Sequence, residues 1–305
     1  DAGMSRWTPR NWMTARMLGC FLLGTACLPG LADDVEPPMP FEVTVAGQGP
    51  PVILIPGLGC SGAIWDSTVR HLENRFECHV LSLKGFGGVP AMSPLPENFL
   101  ATVRDGIIAY AREHKIDRPA LVGHSLGGIV AMQVAVAAPD LPRAIVIVDS
   151  VPYLPGVVSP HAPPETISTL ADGFRKKAAG LSPGDLRAAE ELVVRTMVRD
   201  PDHADRLVEM VGRSDAPTVM QALAELFLVD LREDLSVIRC PVLVLGALED
   251  KAVFSSKEEI EGVLRGQYAG LPGAEIRLFP DSRHFVMFDE PEKFLRAVDE
   301  GLAAP

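Results

Sequence analysis

The sequence predicts an α/β fold, with a mostly parallel central sheet and helices packed on both of its faces. Three observations lead there. Short apolar runs of strand length alternate along the 305 residues with stretches of helical spacing, the pattern of repeated strand, helix, strand crossovers. Two of the runs feed directly into glycine-rich loops, at 56–62 and 84–88. A third, Ala120, Leu121 and Val122, feeds into Gly123-His124-Ser125-Leu126-Gly127, a buried strand, a sharp turn and the start of a helix. A serine on such a turn takes a strained backbone conformation, and side chains two residues to either side would collide, which accounts for the glycines.

Taken in order, residues 41–46 alternate apolar and polar and suit an edge strand, ended by Gly47-Gln48-Gly49-Pro50-Pro51. Residues 52–55 are a continuous apolar strand. The loop after it, Pro56-Gly57-Leu58-Gly59-Cys60-Ser61-Gly62, can turn backbone N–H groups inward. A helix over 63–73, a strand over 78–83, the loop Lys84-Gly85-Phe86-Gly87-Gly88 and a helix over 98–115 lead to the serine turn. The helix that follows, 126–138, is apolar nearly all round, as a buried helix is, and its first-turn N–H groups face any negative charge that develops at Ser125. After a strand at 144–149, residues 150–239 read as helices and turns. Ser182-Pro183, Asp200-Pro201 and Asp215 with Pro217 open three of these helices, and Val219, Leu223, Leu226 and Phe227 form one apolar stripe on the third. Strands return at 241–246 and 275–279, and a helix over 293–302 closes the chain.

The first 32 residues look separable. Arg6, Arg10 and Arg16 precede an apolar run over 17–28, then Pro29-Gly30-Leu31-Ala32, the order of a secretory signal peptide cleaved after Ala32. The run is shorter than the ~20 apolar residues needed to cross a bilayer, so no stable membrane span is expected. A lipid anchor at Cys27 would want a larger apolar residue where Gly24 stands. Removing the leader's three Arg and one Asp takes the formal charge from −12 to −14. Such a surface argues against nucleic acid, anionic membranes and polyanionic substrates. Cys60, Cys78 and Cys240 remain; one disulfide is possible, and the default is small buried hydrophobes. No CxxC or HExxH spacing points to a metal.

The order of strand, glycine loop, strand, helix and G-x-S-x-G turn resembles the α/β-hydrolase family over nearly all of the chain after the leader. The resemblance implies a hydrolase core at 33–150 and 240–305 with a helical cap at 151–239. Ser125 is then the nucleophile, and it needs a base that is itself oriented by an acid. Of seven histidines, His284 alone follows a late strand, at the carboxyl edge where sites of parallel sheets gather. It also stands where the family's catalytic histidine does, followed by a similar Phe-x-x-x-x-Glu-Pro-Glu-Lys-Phe sequence. His124 adjoins the serine, yet its place in the turn points its side chain away from the hydroxyl. Asp250, in the loop after the penultimate strand, gives the order Ser, Asp, His and is the expected acid. Glu249 is one residue off, and Asp149 ends the strand after the serine helix, a position some members use. The oxyanion donors implied are the backbone N–H groups of Leu58 and Leu126, with Pro56 standing where the family commonly has histidine.

The expected protein is therefore a secreted or periplasmic serine hydrolase that needs no cofactor. It acts on a small uncharged carboxylic ester or lactone through an acyl-enzyme. A perhydrolase, an acyltransferase or a carbon–carbon bond hydrolase could use the same residues, and a non-catalytic binding protein could keep the scaffold alone. Oligomeric state is left open.

Overall fold

The computed structural model describes residues 39–303 apart from 160, 179, 181–182 and 250–255, so the leader call at 1–32 lies outside the described residues. Residues from Pro40 on form one compact unit. Its centre is a seven-stranded sheet of order β1-β3-β2-β4-β5-β6-β7. The strands are β1 (Phe41–Gly47), β2 (Pro51–Ile55), β3 (Glu77–Leu83), β4 (Ala120–His124), β5 (Ala144–Val148), β6 (Val242–Ala247) and β7 (Glu275–Phe279). Only β1 is antiparallel, against β3; every other pairing is parallel. β1 is an edge strand as expected, but its burial does not alternate, with Phe41 and Ala46 buried and Val45 exposed, whereas β4, β5 and β6 are buried along their whole length.

Successive side chains of a strand point to opposite faces, and the helices cover both. On one face Leu54, Val122, Val146 and Leu245 pack with Trp65 and with Phe294 of the last helix, and the Trp65 and Phe294 rings are stacked 6.4 Å apart. The helices of the core are α1 (Asp66–Leu72), α2 (Phe99–Glu113) and α3 (Leu126–Ala137). Between β5 and β6 lie α4 (Pro155–Val158), α5 (Pro164–Ala178), α6 (Pro183–Val194), α7 (Pro201–Val211) and α8 (Ala216–Leu228). Then follow α9 (Lys257–Gln267), α10 (Val286–Asp289) and α11 (Pro291–Leu302). Asp200 caps α7 by accepting the N–H groups of Asp202 and His203, and Asp215 caps α8 by accepting that of Thr218, as the sequence signals indicate. Ser182, read as the cap of the helix before, lies outside the described residues.

Two helices depart from the sequence reading. α5 buries little more than Ile167 and Ala171, too thin an apolar stripe to stand out from a polar connection. α9 carries a cap that was there to find, since Ser256 accepts the N–H of Glu259 three residues on. Cys78 and Cys240 keep free thiols, so no two of Cys60, Cys78 and Cys240 are joined by a disulfide. Among the described residues no helix is long and apolar enough to cross a membrane.

Because β2, β4, β5, β6 and β7 run in parallel, the loops that follow them open at one rim of the sheet. Leu58, Ser125, Asp149, Glu249 and His284 all belong to those loops.

Candidate active site

Ser125 sits between β4 and α3 with φ 53° and ψ −119°, a conformation residues other than glycine rarely adopt. Its N–H is held by the carbonyl of Val148 at 2.9 Å, and its carbonyl receives the N–H of Gly128, which starts α3. The flanking glycines are there for space. A Cβ on Gly123 would come within 2.2 Å of the Gly127 carbonyl oxygen, and one on Gly127 within 2.2 Å of that of Ile55.

The loop after β2 lies over this turn. A Cβ on Gly57 would meet the Ser125 Cβ at 3.2 Å, so Leu58, the next residue, stands beside the serine and lines the same cavity as Ser125 and Leu126. Ser214, between α7 and α8, pins the loop: its buried hydroxyl donates to the Gly59 carbonyl at 3.0 Å and accepts the N–H of Gly87 at 2.9 Å. One side chain thus ties both glycine-rich loops to the helices above.

His284 lies between β7 and α10, its side chain 17 % exposed and facing that cavity. Its Nδ1 is 2.6 Å from Oδ2 of Asp149, a charge-assisted distance, while Oδ1 of Asp149 accepts the N–H of Ala247 at 2.9 Å. A carboxylate so placed accepts from both sides, so Nδ1 of His284 carries a proton and Nε2 offers its lone pair. Asp149 is nearly sealed, with 3 % of its side chain exposed and φ 42°. The carbonyl of Ser150 receives the hydroxyl of Tyr268 at 2.7 Å, which fixes the next turn of chain. Burial, with the Asp149 charge adding to it, pushes the Tyr268 phenol well above its ordinary pKa, so it stays a donor.

Asp250, the expected acid, lies outside the described residues. Among the described residues, the carboxylate that the fold brings to His284 is that of Asp149. Glu249 faces elsewhere, 3.2 Å from Arg199 Nη1. His124 is buried, and its Nε2 donates to the backbone carbonyl of His284 at 3.0 Å, with the two rings 4.6 Å apart. The remaining histidines stand elsewhere: His71 on Asp299, His79 and His114 around Tyr110, His203 stacked on Phe288, and His161 exposed ahead of α5.

The cavity over these groups holds about 350 Å³, within the range of small-molecule sites. Its walls are hydrocarbon, with Ile129 and Val151 from the core side, Val157, Leu223 and Phe227 from helices α4 and α8, and Met197 from the segment between α6 and α7. Among the described residues lining it there is no Lys or Arg, and the single carboxylate is Asp149. No group of three or more His, Cys, Asp or Glu that could hold a metal occurs among the described residues.

Residues 52–297 match the Alpha/beta hydrolase family. The chain belongs to the α/β-hydrolase family. Two curated relatives share a description: it is 29% identical over 261 residues to the pimeloyl-[acyl-carrier protein] methyl ester esterase of Vibrio vulnificus (strain CMCP6), covering 81% of this chain and 92% of that one. To the esterase of that description from Chromobacterium violaceum it is 26% identical over 272 residues, covering 85% and 97%. Among solved α/β-hydrolase-like structures, a hydrolase from Pseudomonas aeruginosa PA01 aligns with TM-score 0.70 at 20% identity over 86% of this chain and 94% of that one. A thermophilic esterase from Thermogutta terrifontis aligns with TM-score 0.70 at 21% identity over 86% and 92%. At such identities the two structures bear on the fold alone.

Proposed function

We propose that this α/β-hydrolase is a serine esterase that cleaves uncharged carboxylic esters or lactones with apolar acyl groups. The observation that carries the reading is the shared cavity: Ser125 on its strained turn opens into it together with His284, whose Nδ1 is bound to buried Asp149. Ser125 Oγ attacks the substrate carbonyl while His284 Nε2 takes its proton. Asp149 holds the ring in that tautomer and balances the imidazolium. The oxyanion is met by the N–H groups of Leu58 and Leu126 at the start of α3, and loss of one such donor costs on the order of 3 kcal/mol of transition-state stabilisation. His284 then hands the proton to the departing alkoxide, which leaves the acyl-enzyme. Water attacks that ester, gives its proton to Nε2 and releases the acid, and the proton returns to Ser125.

Apolar walls with no Lys or Arg among their described residues suit a hydrocarbon acyl chain and would leave a charged one unpaired. The curated relatives are named for a methyl ester, a substrate of the same bond type. The helices α4 to α8 serve as the cap over this cavity. The order of residues in the leader supports export with cleavage after Ala32, which N-terminal sequencing of the protein made with its leader tests. Turnover of p-nitrophenyl esters by the wild type, lost in Ser125→Ala with the melting temperature unchanged, is the expected result. Equal turnover by the variant would end the assignment.

A further inference from the structure

The loop that presents His284 is sewn to the cap by one carboxylate. Asp289, at the end of α10, accepts the backbone N–H of Arg283 on Oδ2 at 2.8 Å, and Arg283 immediately precedes His284. Its other oxygen, Oδ1, accepts the backbone N–H of Arg199 at 2.9 Å, in the segment between α6 and α7. Three more bonds cross the same seam. The N–H of Phe285 donates to the Met197 carbonyl at 3.1 Å, Arg283 Nη1 to the Val198 carbonyl at 3.1 Å, and Arg199 Nη1 to the Asp281 carbonyl at 2.7 Å. Residues on both sides of His284 are therefore bound to residues 197–199, and the Met197 side chain at one end of that stretch lines the cavity.

We infer that Asp289 is a positioning residue: it couples the cap segment that touches the acyl group to the loop that carries the base. The inference rests on the esterase reading above. Asp289 suits the task because a carboxylate can accept two N–H groups at once, and those it holds are main-chain groups, so it links the two backbones whatever the Arg283 and Arg199 side chains do. Ser282 Oγ donates to Glu290 at 2.9 Å and the Asp289 N–H to the Phe285 carbonyl at 3.1 Å, so the His284 loop is closed on itself and shifts as a unit. An acyl chain that fills the space beside Met197 seats residues 197–199. Through Asp289 it also seats His284 against Ser125. A short acyl group leaves that contact unmade, so chain length acts on kcat as well as on KM.

The test compares p-nitrophenyl acetate with p-nitrophenyl hexanoate. In the wild type kcat is higher for hexanoate. In Asp289→Asn, where the amide offers one acceptor in place of two, kcat for hexanoate falls by up to about 10²-fold, the scale of a misplacement near 1 Å, and the two kcat values converge while KM still favours hexanoate. Asp289→Glu, which keeps both acceptors, restores part of the difference. Asp289→Asn with the wild-type ratio of kcat values, or with a loss that only tracks its unfolded fraction, overturns the inference. Should that variant not fold, Met197→Ala keeps the main-chain bonds and trims the contact: it should lower kcat for hexanoate and spare acetate, and an unchanged ratio overturns the inference equally. A wild type that turns over neither ester refutes the esterase reading itself, whereas an active wild type with an unaffected Asp289→Asn refutes the coupling alone.

Discussion

Ser125 and Asp149 end neighbouring strands of the sheet, and both have positive φ, 53° and 42°. Such conformations cost on the order of 1–3 kcal/mol each and persist only where surrounding bonds over-determine them. For Asp149 those bonds are its N–H to the Leu245 carbonyl at 2.7 Å and the Ala247 N–H to Oδ1. Asp149→Asn should leave the fold intact and lower kcat by about 10⁴, as expected when the orienting acid no longer fixes the tautomer. Asp250→Asn should leave kcat near that of the wild type; the opposite pattern in steady-state assays would move the acid to Asp250. The places of Ser125 and His284 in the fold were legible in the sequence because each is tied to local chain chemistry, one to a turn that only glycine neighbours fit, the other to a loop after a late strand. The acid has no such local signature. β5 and β6 are adjacent and parallel, with Val148 paired to Leu245, so carboxylates beyond either strand end come to the same rim and only the folded register separates them. His124 could be set aside as the base from its place in the turn, but nothing in the sequence says that it binds the His284 carbonyl.

At the scale of elements, buried polar groups join helices to strands. His79 on β3 lies between Tyr110 of α2, 2.9 Å from Nδ1, and Glu77, 2.9 Å from Nε2. A neutral ring satisfies both, accepting from the phenol and donating to the carboxylate. Burial lowers the His79 pKa below its ordinary value despite the upward pull of Glu77, with His114 adding to the lowering, and burial pushes the Tyr110 phenol up to about 12. Folding then disfavours the proton that the unfolded chain binds, so this contribution to stability is complete above about pH 6.5 and is lost as pH falls through the folded pKa. The melting temperature of His79→Gln should therefore depend less on pH than that of the wild type between pH 7.5 and 5; parallel curves would contradict this. Among the helices between β5 and β6, Glu225 of α8 is buried and accepts the N–H groups of Phe99 and Leu100 at 2.7 and 2.8 Å, a carboxylate on the first turn of α2. Sequence periodicity shows the stripe on α8 but not this anchor, because a glutamate on a helix ordinarily reads as solvent-facing.

For the whole molecule, the mostly parallel sheet follows from the alternation of elements, and the rim where the site lies follows from parallel connections, whereas the β1-β3-β2-β4 order does not follow from either. What the sequence does not carry is how the helices between β5 and β6 fold back, and that arrangement makes the cavity. With hydrocarbon on both sides of it, each methylene added to the acyl chain is worth about 0.8 kcal/mol, so kcat/KM should rise roughly fourfold per carbon until the cavity is full and then fall. A flat profile across p-nitrophenyl acetate to dodecanoate would mean the chain does not enter it. A half-ester of a dicarboxylic acid should be a poor substrate at the same chain length, since its free carboxylate would be buried against walls with no Lys or Arg among their described residues. The most direct test of the central claim is fluorophosphonate labelling followed by peptide mapping. The wild type should carry one phosphonyl group, on Ser125, and lose ester hydrolysis in step with its incorporation. A label on another residue, or full activity with Ser125 modified, would contradict the account.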